Sequence, residues 1–421
     1  MRRLLISLSL CLACFSLSAA QETPPDSPLL ALLRQVPDQG TARYLTLYLD
    51  RSAITRAYAG TLQPANVAQG IASLQADDDD LLSAPQRAWW AVYLRVNPPV
   101  MADTSTWGNM PSVMGIEFFQ IERELGYGEP PGAGLIIQGN FDRAAVETAW
   151  SARDYQSTEA GIWCYQADCT TSATVMLDKR EVANLFGGRL GRQEALLITD
   201  DTLQGSADAQ LMAGAAQALN GEARSLADDS AYRAAVQTLE SLGILTQATF
   251  IDGKTLLVVQ DPPLLKADDL VPIREGFQAI PPYRLLALAS VVSPTEELGI
   301  SALVFPNASQ ATLAAEQMRR RYQQGRDSDA DWAIPADWQV TLNTQVVEVE
   351  GWHVAVFSLS APVIPSALLP ALRSSLVESG GILPEGIYAP ATLYKVLQRT
   401  LFTQTSGPWL ITTSESALPA P

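Results

Sequence analysis

The chain has 421 residues, of which 47% are apolar and 17% are charged, and its net charge is −17. A chain of this length and apolar content can bury substantial cores, which excludes a disordered protein and suggests two or three domains. The acidic excess argues against nucleic-acid backbones and anionic membrane surfaces as partners, since both attract basic patches.

The first twenty residues are typical of a secretory signal peptide. Arg2 and Arg3 precede an apolar run that ends at Leu17, and small residues then lead to a predicted cleavage site at Ala20. Because this segment carries two arginines and no acidic residue, its removal lowers the net charge by two, to −19. We therefore expect an exported protein, periplasmic or extracellular.

A lipid anchor at Cys14 is the alternative form of export. A lipoprotein signal usually has Leu three residues before the lipidated cysteine, where this chain has Cys11. Soluble export is therefore preferred. No later segment has eighteen apolar residues free of charge and Pro, so the sequence predicts no transmembrane span in the mature chain.

Strands and helices are predicted to alternate along the N-terminal part. A strand at 42–50 is followed by Ala-rich helices and by a loop-rich passage over 97–131. Next, "GLIIQGNFDRAAVETAW" predicts a buried strand at Leu135–Gln138, a helix cap at Asp142 and a helix through Trp150.

Two cysteines remain after cleavage, Cys164 and Cys169 in "GIWCYQADCTTSATVML". In an oxidising compartment we expect them to form a disulfide that closes a small loop between two strands. The alternatives are a redox pair and half of a zinc site, but the spacing is not C-x-x-C and no second ligand pair accompanies it.

A strand at "EALLITD" is predicted next, followed by two helices, "DTLQGSADAQLMAGAAQAL" and "SLADDSAYRAAVQTLESL". Asp228 or Asp229 can cap the second helix. The pair Asp252-Gly253 in "LTQATFIDGKTLLVVQ" predicts a two-residue hairpin turn, because both residues tolerate positive φ.

After a Pro-rich joint, the last part predicts strands at "YRLLALASVV" and "LGISALVFPN" and a helix at "ASQATLAAEQMRRRYQ". The cluster Arg319–Arg321 suits the C-terminal end of that helix. Paired strands with a turn at Glu350-Gly351 follow, and helices and "PWLITT" end the chain. The predicted division is a signal peptide, an N-terminal α+β domain, the joint and a C-terminal α+β domain, at 1–20, 21–262, 263–280 and 281–421.

An internal repeat is predicted from the order of elements. "GAGLIIQGNFDRAAVETAW" followed by "GIWCYQADCTTSATVML" matches "ISALVFPNASQATLAAEQM" followed by "TQVVEVEGWHVAVFSL", each being a strand, a helix and a hairpin. We expect an α+β fold of two related α/β halves, with mainly antiparallel sheets, helices packed on one face, and a ferredoxin-like layout.

Three segments together carry a resemblance to known proteins: "VPDQGTARYLTLYLD", the "GNFD" step from strand to helix, and "SLADDSAYRAAVQTL". With them, the chain resembles uncharacterised exported bacterial proteins of domain-of-unknown-function families. Those families often have a Pro-Ala-Asp step before the first strand, where this chain has Val36-Pro37-Asp38-Gln39. The resemblance implies export and the fold class, and no activity or cofactor.

Candidate catalytic residues are few. His353, the one histidine, lies in a predicted strand without a nucleophile motif, so we expect a structural or surface role. Glu117, Glu122 and Glu124 in "MGIEFFQIEREL" could supply paired carboxylates for glycoside hydrolysis, but the segment does not decide between helix and strand. A structural role is the preferred interpretation.

A calcium site is predicted only from an incomplete match. Asp327, Asp329 and Asp331 alternate as in a calcium loop, but Trp332 and Trp338 occupy the places where an EF-hand has Gly and Glu. A solvated acidic loop is the preferred interpretation, as it is for the run 77–80.

Tryptophans in or near predicted loops could form a sugar-binding or protein-binding platform, but we expect core packing. They are Trp89, Trp90, Trp107, Trp332 and Trp338. Since no coherent catalytic set is found, the sequence favours a non-enzymatic cell-envelope binding or interaction module with an envelope protein or a small ligand as partner. A secreted hydrolase using acidic residues, with or without calcium, and an apolar ligand carrier are the alternatives.

Overall fold

One antiparallel sheet of twelve strands organises the protein. The computed structural model describes residues 27–253, 280–326, 340–363, 393–395 and 397, apart from 59, 77–83, 95, 97–98, 101–103 and 131. The strands are β1 (Leu45–Asp50), β2 (Ile121–Tyr127), β3 (Gly134–Gly139), β4 (Tyr155–Ser157), β5 (Ile162–Tyr165), β6 (Ala195–Ile198), β7 (Thr202–Ser206), β8 (Ile244–Asp252), β9 (Leu285–Val292), β10 (Glu296–Phe305), β11 (Thr341–Val349) and β12 (Trp352–Pro362). Their order across the sheet is β11-β12-β10-β9-β8-β1-β2-β3-β7-β6-β5-β4. The mixed α and β class predicted from the sequence is confirmed.

Side-chain caps fix where many of the helices begin. The α-helices are α1 (Pro28–Leu33), α2 (Arg51–Ala57), α3 (Val67–Gln75), α4 (Ala84–Tyr93), α5 (Met110–Met114), α6 (Arg143–Ser151), α7 (Ala209–Leu219), α8 (Ser230–Glu240) and α9 (Ala308–Arg326). Asp142 accepts hydrogen bonds from the backbone N–H groups of Ala144 and Ala145, as predicted, and Asp229 caps α8 in the same way. Such caps satisfy backbone donors that have no partner inside the helix.

Helices cover both faces of the sheet, and the prediction that they pack on one face is wrong. Residues of β9 alternate between two cores: Ala287 packs in the core that contains α8, and Leu288 packs in the core that contains α9. All eight residues of β9 are buried. A strand covered on both faces has an almost continuous apolar sequence, which is what "LLALASVV" shows.

A second element was assigned wrongly from the sequence. "DTLQGS" was predicted as the start of a helix, but it forms β7, and the helix α7 begins only after the cap Asp208. The polar residues of β7 are buried because distant groups bond them. The Gln204 amide donates to the Tyr127 hydroxyl at 2.6 Å, and the Thr202 hydroxyl donates to the Gln35 side-chain oxygen at 3.1 Å.

The predicted hairpin turn at Asp252-Gly253 is also wrong. Asp252 is the last residue of β8 and pairs with Leu285, and Gly253 does not have the positive φ that this turn requires. Glycine is needed there for another reason, since a Cβ at Gly253 would overlap the Tyr283 carbonyl oxygen. The carboxylate of Asp252 accepts a hydrogen bond from Arg284 at 2.6 Å.

The turn predicted at Glu350-Gly351 is confirmed. It joins β11 to β12, and the two residues have φ values of 51° and 80°. The Glu350 carboxylate accepts from Arg233 at 2.9 Å, which ties this turn to α8. The turn therefore links the C-terminal strands to a helix of the N-terminal part.

Strands from both predicted domains belong to the same sheet. β8 and β9 pair over the register from Ile244–Val292 to Asp252–Leu285. The Tyr58 hydroxyl also donates to Glu297 at 2.8 Å across this division. The Pro-rich joint at 263–280 lies outside the described residues except for its end at Ile280.

Candidate functional site

The disulfide Cys164–Cys169 is formed, as predicted. Cys164 lies at the buried end of β5, whereas Cys169 opens a 3-10 turn rather than a second strand. The residues Gln166 and Ala167 between them adopt positive φ. The side chain of Asp168 accepts hydrogen bonds from the hydroxyl and backbone N–H of Thr170, which lower the pKa of its carboxyl. The disulfide therefore fixes a tight reversal of the chain.

A long loop follows this turn, residues 172–193, which we name the basic-apolar loop. Its two arms lie side by side: the Met176 N–H donates to the Gly191 carbonyl at 3.1 Å, and the Glu181 N–H donates to the Gly188 carbonyl at 3.0 Å. The Arg180 guanidinium donates to the Arg189 carbonyl at 2.9 Å. These bonds give a loop outside the sheet a defined shape.

The middle of the basic-apolar loop is anchored in the core. Phe186 is buried, and its ring contacts Trp150 at 6.3 Å between centroids. The Asn184 amide donates to the Phe186 carbonyl, and the Phe186 N–H donates to the Asn184 side-chain oxygen. The loop is therefore held at its disulfide end and at its centre, while most side chains over 173–182 face solvent.

Large aliphatic side chains are exposed on this loop. They are Val175 at 50%, Leu177 at 71%, Val182 at 45% and Leu190 at 51%. In the described part of the chain, nine large hydrophobic side chains are exposed, and these are four of them. Scattered exposed apolar residues need no explanation, but a local group of them marks an interaction surface.

Basic side chains surround the exposed aliphatic residues. Lys179, Arg180 and Arg189 are exposed, and among the described residues none of them forms an ion pair with a carboxylate. Lys179 lies 5.7 Å from the Tyr165 ring centroid. With Arg192, the loop has four basic and two acidic residues, a net charge of +2 in a chain of −17. The loop is thus a small basic area on an acidic protein.

Glu194 directly follows the basic-apolar loop and is largely buried. Burial raises the pKa of its carboxyl to about 7, although Arg192 opposes this effect. The Tyr155 hydroxyl donates to the Glu194 backbone carbonyl at 3.1 Å. Its carboxyl therefore changes protonation near neutral pH.

The three glutamates considered for hydrolysis have separate roles. Glu124 is fully buried in β2, where its carboxylate pairs with Arg51 and accepts from the Val100 N–H at 2.8 Å. Glu117 caps a 3-10 turn, and Glu122 lies at a bulge of β2 and pairs with Arg123. They do not form a pair of carboxylates facing a common substrate position.

The histidine lies in β12, as predicted. His353 is half-buried and pairs in register with Phe305 and Glu348. Its neighbours on the same face, such as Ala355 and Phe357, belong to the core under α9. No catalytic partner is brought to it among the described residues.

Three of the five tryptophans are core residues, so the platform alternative is wrong for them. Trp89, Trp90 and Trp107 are buried, and Trp90 and Trp107 stack at 5.6 Å between centroids. Trp332 and Trp338 lie outside the described residues.

Other predicted sites also fall outside the described residues: Ala20, Cys14, the run 77–80, and the calcium candidates Asp327, Asp329 and Asp331. Within the described ranges, no group of three His, Cys, Asp or Glu side chains could hold a metal ion. The calcium site stays a prediction. A calcium-dependent rise in the unfolding midpoint that disappears when the three aspartates become Asn would support it.

A shallow cleft of about 380 Å³ lies between the turn at Gly40 and α7. Its lining mixes polar side chains, including Gln39, Thr41 and Gln217, with the apolar Leu211 and Ala213. The carboxylate of Asp208 at its rim already accepts the N-terminal N–H groups of α7. This arrangement provides neither a nucleophile nor a general base, and it is weaker evidence of binding than the basic-apolar loop.

Comparison with known proteins leaves the function open. No family model matches the chain, and no curated protein matches it. Crystal forms III and IV of a protein named TP0453 show 12% identity and TM-scores of 0.32 and 0.34. They cover 82% of this chain and 98% and 96% of those chains. A TM-score at this level supports no conclusion about fold or function. In the described residues, no helix is long and apolar enough to cross a membrane.

Proposed function

We propose that the protein is an exported, non-enzymatic interaction module of the cell envelope that docks through the basic-apolar loop. The observation that carries this proposal is the group of four exposed aliphatic side chains at 175–190. Exposed apolar groups lose unfavourable contact with water when a partner covers them. The predicted signal peptide and the disulfide support a location outside the cytoplasm.

The shape of the loop favours binding over catalysis. Most of its charged groups are exposed and its reactive groups are few, whereas enzymes hold acid and base groups in partly enclosed sites. The disulfide and buried Phe186 fix the loop before a partner arrives. Such pre-organisation reduces the conformational entropy lost on binding.

Sedimentation with washed envelope fractions of the bacterium that makes the protein tests this function. We expect the chain without its signal peptide to bind, and the double change Leu177→Ser/Leu190→Ser to weaken binding by about tenfold, since two apolar contacts are lost. Leu219→Ser is a matched control, because Leu219 is exposed at the end of α7 and is not part of the loop. Equal binding by all three forms would refute docking through the loop.

We also propose that the fold contains two related halves. The order β1-β2-β3-β7-β6 in one half corresponds to β8-β9-β10-β12-β11 in the other, and β1 and β8 meet at the centre. In each half, three strands precede a helix, α6 or α9. A later hairpin, β6-β7 or β11-β12, places its second strand beside the third strand of the half, and in the N-terminal half β4 and β5 come between α6 and this hairpin. This correspondence supports the repeat. In it, the hairpin equivalent to β11-β12 is β6-β7 and not the disulfide segment.

The layout of each half differs from the predicted ferredoxin-like one, which has a single strand before each helix. An experimental structure tests the repeat. The five strands of each half should superpose under a single rotation in the stated order, and a failure to superpose would contradict a duplication.

A further inference from the structure

We propose that the partner of the basic-apolar loop is a membrane surface rich in anionic lipid, an inference that rests on the proposed docking function of this loop. Exposed aliphatic groups beside unpaired cationic groups are the combination that binds the boundary between headgroups and acyl chains. The alternative partner is a protein, and the vesicle experiment distinguishes the two.

The apolar residues favour a lipid surface over a protein pocket. The four exposed side chains are valines and leucines, and Leu177 is 71% exposed at a turn. Leu and Val are under-represented among the energetically dominant residues of protein interfaces, and the aromatic residue of this loop, Phe186, is buried. Aliphatic side chains on an exposed turn can enter a lipid surface without a shaped pocket.

Basic side chains in the loop indicate that the lipid surface is anionic. Lys179, Arg180 and Arg189 are close to the exposed aliphatic groups, since Arg180 bonds the Arg189 carbonyl and Leu177 is two residues from Lys179. Basic groups near an anionic leaflet each strengthen binding. Salt limits the reach of charge to about 8–10 Å, so acidic groups farther than this from the loop act on it only weakly.

The net charge of −17 therefore does not exclude an anionic surface. A net charge averages over the whole molecule, whereas docking senses the groups within a screening length of the contact. The acidic body also disfavours other orientations on an anionic membrane. The basic-apolar loop is then the part of the described surface that approaches the membrane.

Co-sedimentation with lipid vesicles tests the proposal. The full chain without the signal peptide is mixed with vesicles of phosphatidylcholine alone or with about one third phosphatidylglycerol, at low and at high salt. We expect binding to the anionic vesicles that falls at high salt and is at least about tenfold weaker for phosphatidylcholine.

Three variants separate the contributions. Leu177→Ser/Leu190→Ser should lower binding to anionic vesicles by about tenfold, and Lys179→Glu/Arg180→Glu should abolish it. Lys179→Arg/Arg180→Lys keeps the charge and should bind like the original chain, as should Leu219→Ser. Thermal unfolding shows whether each variant is folded, since only midpoints close to that of the original chain permit the comparison.

Two results would overturn the inference. One is a folded original chain that does not bind anionic vesicles, and the other is equal vesicle binding by the loop variants. If the serine variant loses binding to envelope fractions while no form binds vesicles, docking through the loop stands and the lipid partner is refuted in favour of a protein. If the variant binds envelopes normally, the docking function itself fails.

Discussion

At the scale of single residues, Arg51 and Glu124 form a buried ion pair. Both side chains are fully buried, and the Arg51 guanidinium lies 4.2 Å from the Phe118 ring centroid. Burial raises the pKa of Glu124, while Arg51 and the Val100 N–H lower it, and burial has the larger effect. A charge in this position is tolerated only because its partner is present.

Removing one partner of this pair should be costly. We expect Arg51→Met to lower the free energy of unfolding by about 3–5 kcal/mol, because it leaves a buried carboxylate unpaired. Urea unfolding measures the change. Arg320→Met is the control, since Arg320 pairs with Glu316 on the exposed surface of α9 and such pairs contribute about 0–1 kcal/mol. A similar loss in both variants would contradict this account.

Glu194 should make stability depend on pH between about 4 and 7. Its folded pKa of about 7 exceeds the value of about 4.3 in an unfolded chain, so the folded state keeps the proton longer. The free energy of unfolding therefore falls as pH rises through this window and levels off above it.

Glu194→Gln should remove this dependence. Relative to the original chain, the variant should gain about 2–3 kcal/mol between pH 5 and pH 8, as measured by urea unfolding. Asp229 acts in a different window: burial raises its pKa, but Arg284 and Arg43 hold it below the ordinary value. Its stabilisation is present above about pH 4 and is lost only in more acidic solution. If the free energies of unfolding of Glu194→Gln and the original chain differ by the same amount at pH 5 and at pH 8, Glu194 is already charged at pH 5.

At the scale of secondary-structure elements, the β11–β12 turn provides a test of backbone conformation. Gly351 has a φ of 80°, and a Cβ there would meet no atom within 4 Å. Gly351→Ala should therefore cost about 1 kcal/mol from its conformation alone. Gly108→Ala is the control, because Gly108 has equal space and no positive φ. Equal unfolding midpoints for Gly351→Ala and Gly108→Ala would contradict this conformational role of Gly351.

The sequence predicted those elements whose decisive interactions are local. Asp142 caps its own helix and Glu350-Gly351 forms its own turn, so a short window contains the cause. β2 and β7 were missed because their polar residues are satisfied by remote partners. Glu124 pairs with Arg51, 73 positions earlier, and Gln204 bonds Tyr127, 77 positions earlier.

The candidate site was only partly predictable for a similar reason. The disulfide followed from two cysteines in an exported chain, but the apolar residues of "TVMLDKREV" gave no indication of exposure. Apolar residues are buried more often than not, and only the folded loop shows that Leu177 faces solvent while Phe186 does not.

At the scale of the whole molecule, the continuous sheet opposes a simple division into two domains. β8 and β9 pair along their length, and Trp352 of β12 donates to the Ser230 hydroxyl of α8 at 2.9 Å. A chain of residues 21–262 would expose the β8 edge and the apolar surface beneath it.

We expect this truncated chain to aggregate, or to unfold without cooperativity in urea, unlike the full chain. Circular dichroism and light scattering would measure both properties. A monomeric 21–262 fragment with a cooperative transition would instead establish the predicted domain boundary.

The central place of β1 also determines the order in which the molecule can fold. β1 is the first strand to be synthesised, yet Leu45 pairs with Ile251 and Thr46 pairs with Tyr127. Its two neighbours are therefore made long after it, and pairing between such distant residues is slow. While the chain emerges from its N-terminus, the strand at the centre of the finished sheet has both edges open. A chaperone that binds β1 during synthesis should raise the yield of folded protein more than one that binds β11 or β12. These two are the last of the described strands to be made, and they pair with each other.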